Sequence, residues 1–307
     1  MINNQLSRYG SVSKVLESVS PYSKVFFVGD SDDTGFVDFV NEFPPDGDGV
    51  VRVYSSMFDS TMLANARAGR GDVILVMPGH SESISTDQSF NVKGLKVIGL
   101  GEGDERPIVR YTATAASISL DTGGIQLENF RLIADTSAVT IGVDAVGSGS
   151  VVRKNSLEFN GNGSDFAIGI RAITGDRIVI DDNEILGEDT VGPTHGIQLS
   201  ASDYTKVRRN HITGQFSNAG ISDTAASQGL LIGDNFVNNQ DTGTSITIAG
   251  TSTSRGLVYN NRLATSDSTL SIGGAGGITA GGFRWNQNYL ADGDGVSGAL
   301  IPVVTSS

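Results

Sequence analysis

Val152-Arg153-Lys154-Asn155-Ser156-Leu157, Ile180-Asp181-Asp182-Asn183-Glu184-Ile185 and Val207-Arg208-Arg209-Asn210-His211-Ile212 are one frame written three times. Each copy has an apolar residue, two outer residues, Asn, one further residue and a second apolar residue. The frame returns as Ile232/Val237, Val258/Leu263 and Trp285/Leu290, bracketing Asn235, Asn261 and Asn288. Successive Asn residues lie 28, 27, 25, 26 and 27 positions apart. One period earlier Leu127 and Leu132 bracket Phe130 in an Asn-less copy, and Val97 and Leu100 mark a still earlier coil. A period in this range marks a solenoid, whose units bury their apolar faces only against their neighbours.

A second segment keeps the same rhythm: Ile118/Leu120, Ile141/Val143, Ile168/Ile170, Ile197/Leu199, Ile246/Ile248 and Leu270/Ile272, with Ala219/Ile221 a poorer fit. Short alternating segments are what strands with one buried face require. The Gly, Asn and β-branched residues around them disfavour helix and suit strands and turns. The predicted fold is therefore all-β, a right-handed parallel β-helix of about seven to eight coils of 25–28 residues. Strands in consecutive coils would stack about 4.8 Å apart. Asn155, Asn183, Asn210, Asn235, Asn261 and Asn288 are expected to form a column. Asn tolerates the left-handed backbone of a sharp turn, and its amide can hydrogen-bond along a stack.

Residues 55–290 carry this repeat, and both ends of the column need cover. Between Ser55 and Gly69, Met57, Phe58, Met62, Leu63 and Ala66 have helical spacing, with Ser55 or Ser56 to cap the start and Gly69 to close it. They predict a short helix as the lid on the N-terminal coil. Residues 1–54 stand outside the repeat as an attachment or capping segment. In it Val25-Phe26-Phe27-Val28 reads as a strand and as the candidate attachment segment. Residues 291–307, with the apolar run Ala299 to Val304, are expected to cap the other end.

Composition narrows the function. The net charge of −13 repels nucleic acid and anionic membrane surfaces, so neither is an expected partner. The absence of Cys excludes disulfides and thiolate metal sites. No apolar run approaches the length of a membrane span. No secretory leader is recognisable in residues 1–20, which leads to the expectation of assembly in a host cytoplasm.

The stretch from Gly71 to Leu100, followed by Arg106-Pro107, resembles a set of pectin-lyase-like parallel β-helix proteins encoded by tailed bacteriophages and prophages. Asn288-Tyr289-Leu290-Ala291-Asp292-Gly293-Asp294-Gly295 and Ile301-Pro302-Val303-Val304 are similar to the same set. The resemblance implies a virion structural protein, with head decoration as the expected role and the major capsid protein or another virion protein as partner. It also implies a homotrimer exposed on the outside of the particle, with no cofactor.

Parallel β-helices also act on polysaccharides, and one group of residues admits a catalytic reading. Asp181 and Asp182, followed by His195 and by Arg208-Arg209, are similar to the paired carboxylates, His and basic residue of polygalacturonase-like glycosidases, in which one acid protonates the leaving group and another activates water. The interval from the acids to the His is short for that family, and its preceding Asn-Thr-Asp motif is missing. A structural reading covers the same residues. In the two outer positions of the frame the charges alternate up the column: Glu128, Arg153/Lys154, Asp181/Asp182, Arg208/Arg209, Asp234. Such a ladder is expected to lower carboxylate pKa values, the opposite of what a general acid needs. His80 and His211 read as surface residues, and three scattered His without Cys make no transition-metal motif. Asp30, Asp32 and Asp33, or Asp46 and Asp48, have the oxygen ligands of a hard-cation site but also suit plain Asp-Gly turns. Gly273 to Gly277 lack the Lys and Ser/Thr of a phosphate loop. Glycan clefts present aromatic platforms. The single Trp, Trp285, falls at an inward position, which argues against both a depolymerase and a lectin.

Overall fold

The computed structural model describes residues 22–31, 36, 40–41, 43–161, 163–187, 192–241, 243–248, 255–265, 272–273, 282–292 and 299–300. They wind into a right-handed parallel β-helix with three sheets of eleven, ten and eight strands. A typical coil contributes Val151–Arg153 to the first sheet, Ser156–Phe159 to the second and Phe166–Ile173 to the third. The solenoid has about nine turns, slightly more than the seven to eight expected. The additional first-sheet strands, Val73–Val76 and Lys96–Gly99, come from coils that precede the Asn frame and so left a weak trace in the sequence.

The frame behaves as its spacing requires. Leu127, Val152, Ile180, Val207, Ile232 and Val258 are paired in register along the first sheet and wholly buried, and Trp285 continues the row at 4% exposure. Leu132, Leu157, Ile185, Ile212, Val237 and Leu263 form the matching row of the second sheet. Burying each of these side chains contributes roughly 1.5–3 kcal/mol, so the inward rows hold the column together.

Between the two rows the Asn side chains make a continuous ladder. The amide oxygen of Asn210 accepts from the backbone N–H of Asn183 at 3.0 Å and from its Nδ2 at 3.0 Å. Asn183 Nδ2 also donates to the Val152 carbonyl of the coil before. The same set recurs from Asn155 to Asn288, and at the N-terminal end of the ladder the Phe130 N–H donates to Asn155 Oδ1. The expectation that Asn itself takes the left-handed turn is corrected. The residue before it does so: Lys154, Asp182, Arg209, Asp234, Asn260 and Gln287, with φ between 49° and 58°. That conformation costs non-Gly residues roughly 1 kcal/mol. It aims the following amide inward, where hydrogen bonds along the column hold it.

The third sheet corrects a second expectation. Ile118 lies opposite Val143, Ile170, Ile197, Ile221 and Ile246, so Ile141 and Ile168 belong to a row outside this core rather than in it. Gly142, Gly169, Gly196 and Gly220 supply the reason. A Cβ on any of the first three would stand 2.6 or 2.7 Å from the carbonyl oxygen of the glycine one coil on, and on Gly220 it would stand 3.0 Å from that of Ser245. The sheet is pressed tightly here, and the alternation skips one place.

At the N-terminal end a helix, α1, spans Ser60–Asn65, shorter than expected and capped by Asp59 rather than Ser55 or Ser56. Met57, Met62 and Ala66 are buried against the core and Phe58 and Leu63 pack on it. Val25–Val28 is not outside the solenoid. It pairs in parallel with Val73–Val76 and Val53–Tyr54, and its four residues are buried, so their side chains offer no docking surface. The same strand carries the coil into residues 1–54, across the boundary drawn at 54. At the other end Ala299–Leu300 pairs antiparallel on Tyr289–Asp292, covering the edge of the second sheet. Ile301 to Val304 and Leu270 lie outside the described residues.

Replacing Asn210 by Ala removes the amide from a buried ladder and leaves the Asn183 donors without their acceptor. Chemical unfolding is expected to show a loss on the order of 2–4 kcal/mol, against less than about 1 kcal/mol for exposed Glu184→Ala.

Candidate functional site

The charged column is built in part as its sequence suggests, with ion pairs joining Glu128 to the coil after it and Asp181 and Asp182 to the coil after them. Glu128 accepts from Arg153 at 2.7 Å and from Lys154 at 3.1 Å. One coil beyond the two cations, Asp182 is held by Arg209 in a two-pronged pair at 2.9 and 3.1 Å. Arg209 also bonds Asp181, with Arg208 3.7 Å away from the same carboxylate. Asp234 accepts from Asn260 at 2.6 Å. The electrostatics depart from the expectation in one respect. Burial raises the Glu128 pKa, but hydrogen bonds from Arg153 and Lys154 outweigh it and leave the group below its ordinary value. Arg209 likewise holds Asp182 down. Asp181 instead is raised, because burial outweighs Arg209 at a residue only 7% exposed.

His195 does not join this pair. It opens the strand His195–Ser200 of the third sheet, whereas Asp181 ends the strand Val179–Asp181 of the first. His195 is 8% exposed, and burial lowers its pKa, so the ring is neutral near neutral pH. His195 therefore sits on a different face from the two acids. A split pair of carboxylates is what acid–base chemistry uses, but both acids here are bonded to the same arginine, with no imidazole beside them.

The remaining sequence candidates separate in the same way. Lys24 Nζ lies 2.6 Å from Asp46 and 3.4 Å from Asp48, and Asp46 Oδ1 accepts from the N–H groups of Asp48 and Val50. An ammonium thus fills the place proposed for a hard cation, and with the backbone N–H groups it holds Asp46 down to about 2. Asp32 and Asp33, and Gly274 to Gly277, lie outside the described residues. His80 is buried beside Glu82 rather than on the surface, its Nε2 3.4 Å from the carboxylate that also receives the Met57 N–H. His211 is exposed and packs edge-on against Phe236 at 4.8 Å.

A depression of about 550 Å³ on the outer face of the third sheet was not foreseen. Two outward rows cross it. One runs His195, Ala219, Thr244 and the other Gln198, Ser222, Thr247, each triplet paired in register over three coils. The same rows carry Ile168 and Arg171 one coil earlier. Side chains thus shrink to Ala219 and Ser222, and the surface sinks. The signal in the sequence was the poor fit of Ala219/Ile221 to its slot.

One further acid stands apart from all of these. Asp223 is 1% exposed and accepts from Ser227 Oγ at 2.8 Å, and Ser227 Oγ in turn accepts from the backbone N–H of Ser202. Burial pushes its pKa up to about 6. A carboxyl raised on folding adds no penalty while protonated in both states, and destabilises the fold as pH rises through the folded value. Asp223→Asn is accordingly expected to stabilise the protein by on the order of 2 kcal/mol near pH 8 and to have little effect near pH 4, read by chemical unfolding at the two values.

These features define a single-column β-solenoid whose charged face is internally neutralised and whose third sheet carries an uncharged hollow. The chain belongs to the NosD family, described as periplasmic copper-binding protein, whose model matches residues 107–296. No curated protein sequence matches it. Among solved structures it is similar to the endo-xylogalacturonan hydrolase from Aspergillus tubingensis, at 10% identity over 89% of this chain and 94% of that one, with a TM-score of 0.42. It is similar to ORF18 of Geobacillus virus E2, at 9% identity over 94% and 65%, with a TM-score of 0.34. A third is the tailspike protein gp49, a capsular polysaccharide depolymerase, of the Acinetobacter baumannii bacteriophage Fri1, at 9% identity over 94% and 66%, with a TM-score of 0.30. At these identities the likeness concerns the fold.

Copper does not fit the side chains present. Cys is absent from the chain, and its three histidines stand apart, His80 ahead of one second-sheet strand, His211 on another and His195 on the third sheet. Among the described residues no three His, Asp or Glu side chains converge on a point that would hold a metal ion.

Proposed function

We propose that this chain is a structural protein of a bacteriophage virion, standing on the outside of the particle as a capsid decoration, or cement, protein and acting without catalysis. The observation that carries the reading is the pairing of the outer acids. Glu128, Asp181 and Asp182 are bonded to Arg153, Lys154 and Arg209, so the residues that would do chemistry in a glycosidase serve to stiffen a column. The partner is the major capsid protein, three copies associate, and the work is done by surface complementarity and added interface area. The resemblance of Gly71 to Leu100 to phage β-helix proteins supports this assignment.

A second reading, a tailspike or fibre that binds or cleaves host surface polysaccharide, is favoured by one observation, the hollow around His195. Its cleaving form needs an acid there, and the described residues lining the hollow include none.

Purified protein mixed with undecorated capsids is expected to co-sediment saturably. Asp182→Asn is expected to change that binding by less than about fivefold, the ceiling for one surface ion pair, and to alter no sugar-shortening activity. Absence of co-sedimentation contradicts decoration, and release of oligosaccharide that Asp182→Asn abolishes establishes the glycosidase in its place.

A further inference from the structure

We infer that the hollow on the third sheet is a binding site for an uncharged, hydroxyl-rich ligand, of which a pyranose unit of a neutral saccharide is the plainest case. Its size falls within the range of small-molecule sites. Its lining is polar but carries no ion: apart from Ala219 and Gly243, every lining side chain is a hydroxyl, a carboxamide or the neutral ring of His195. The nearest charges on the same outward row, Asp144 and Arg171, close on each other at 2.6 and 3.0 Å and leave nothing to recognise an ionic ligand.

Two atoms point to a guest. Ser222 is 2% exposed, yet its Oγ has no hydrogen-bond partner among the described residues. A hydroxyl left so costs free energy unless something meets it. His195 is the other. Thr194 Oγ1 donates to the Ala167 carbonyl at 2.7 Å, so its contact of 3.0 Å with His195 Nδ1 requires that nitrogen to carry the proton. Nε2 is therefore an acceptor. Gln198, on the same strand as His195 and in register with Ser222, adds a donor and an acceptor, and Asn218 adds another pair. Alternating donors and acceptors on a neutral floor match vicinal hydroxyls. Among the described residues no carboxylate or aromatic platform lines the hollow, and affinity rests on hydrogen bonds that compete with water.

Ligand-observed saturation-transfer NMR on the full chain tests this, with neutral dextran-, mannan- and galactan-derived hexamers as probes and polygalacturonate and alginate hexamers as charged counterparts. Transfer to at least one neutral hexamer is expected at millimolar concentration, and weaker transfer to the acidic ones. Ser222→Ala and Gln198→Leu are each expected to weaken binding on the order of tenfold, with the unfolding midpoint showing that both variants fold. Transfer to no neutral hexamer, stronger transfer to the acidic hexamers, or unchanged binding by both folded variants overturns the inference. The site is independent of capsid attachment, and Ser222→Ala is expected to co-sediment with capsids like the parent, so failure of either reading leaves the other standing.

Discussion

The hydrogen bonds that run lengthwise through the Asn column are the constraint on which the rest of the molecule depends. Each Asn satisfies the backbone N–H of its neighbour and a carbonyl of the coil before, at a corner where the chain would otherwise bury unpaired polar groups. A coil one residue too long on either side of the frame would turn the amide away from its partners. The spacing between the two inward rows is therefore fixed at five residues in every copy from Val152 to Leu263, while the arms between frames vary in length.

Once coils are locked in this register, everything on the outside is stacked as well. Opposite charges then meet at one strand spacing, and Glu128, Asp181 and Asp182 find cations because the next coil supplies them. The same geometry makes the hollow. Where the two outward rows shrink to Ala219 and Ser222 between larger neighbours, no side chain of the described residues fills the gap, since each coil packs on the coils above and below. Surface relief on a solenoid is thus written one coil at a time. That explains how one face is bound up in ion pairs and another lies open.

This also decides what could be read from the sequence. The frame with its Asn was legible because strict spacing is what the ladder demands, and the charge alternation followed from it. The left-handed residue before each Asn was hidden, for it may be Lys, Asp, Arg, Asn or Gln and has no type of its own. Ile141 and Ile168 misled because apolar alternation cannot reveal a place skipped at Gly142 and Gly169. Val25–Val28 was recognised as a strand, but a lone strand does not announce that it pairs with Val73–Val76, some 48 residues on. The raised Asp181 depended on burial, which spacing does not encode. The hollow left no trace in the sequence beyond the weak fit of Ala219, because a hollow is a matter of what neighbouring coils lack.

Disulfide trapping tests the stacking most directly, in a chain with no cysteine of its own. Glu184 and His211 are register partners on the second sheet, and Phe236 lies one coil further. Adjacent strands stand about 4.8 Å apart, within reach of a disulfide, and strands two coils apart do not. Glu184→Cys with His211→Cys is expected to oxidise readily to an intramolecular bridge, and Glu184→Cys with Phe236→Cys to stay reduced. A bridge in the second pair, or none in the first, contradicts the coil register and with it the account of both the ion-paired face and the hollow.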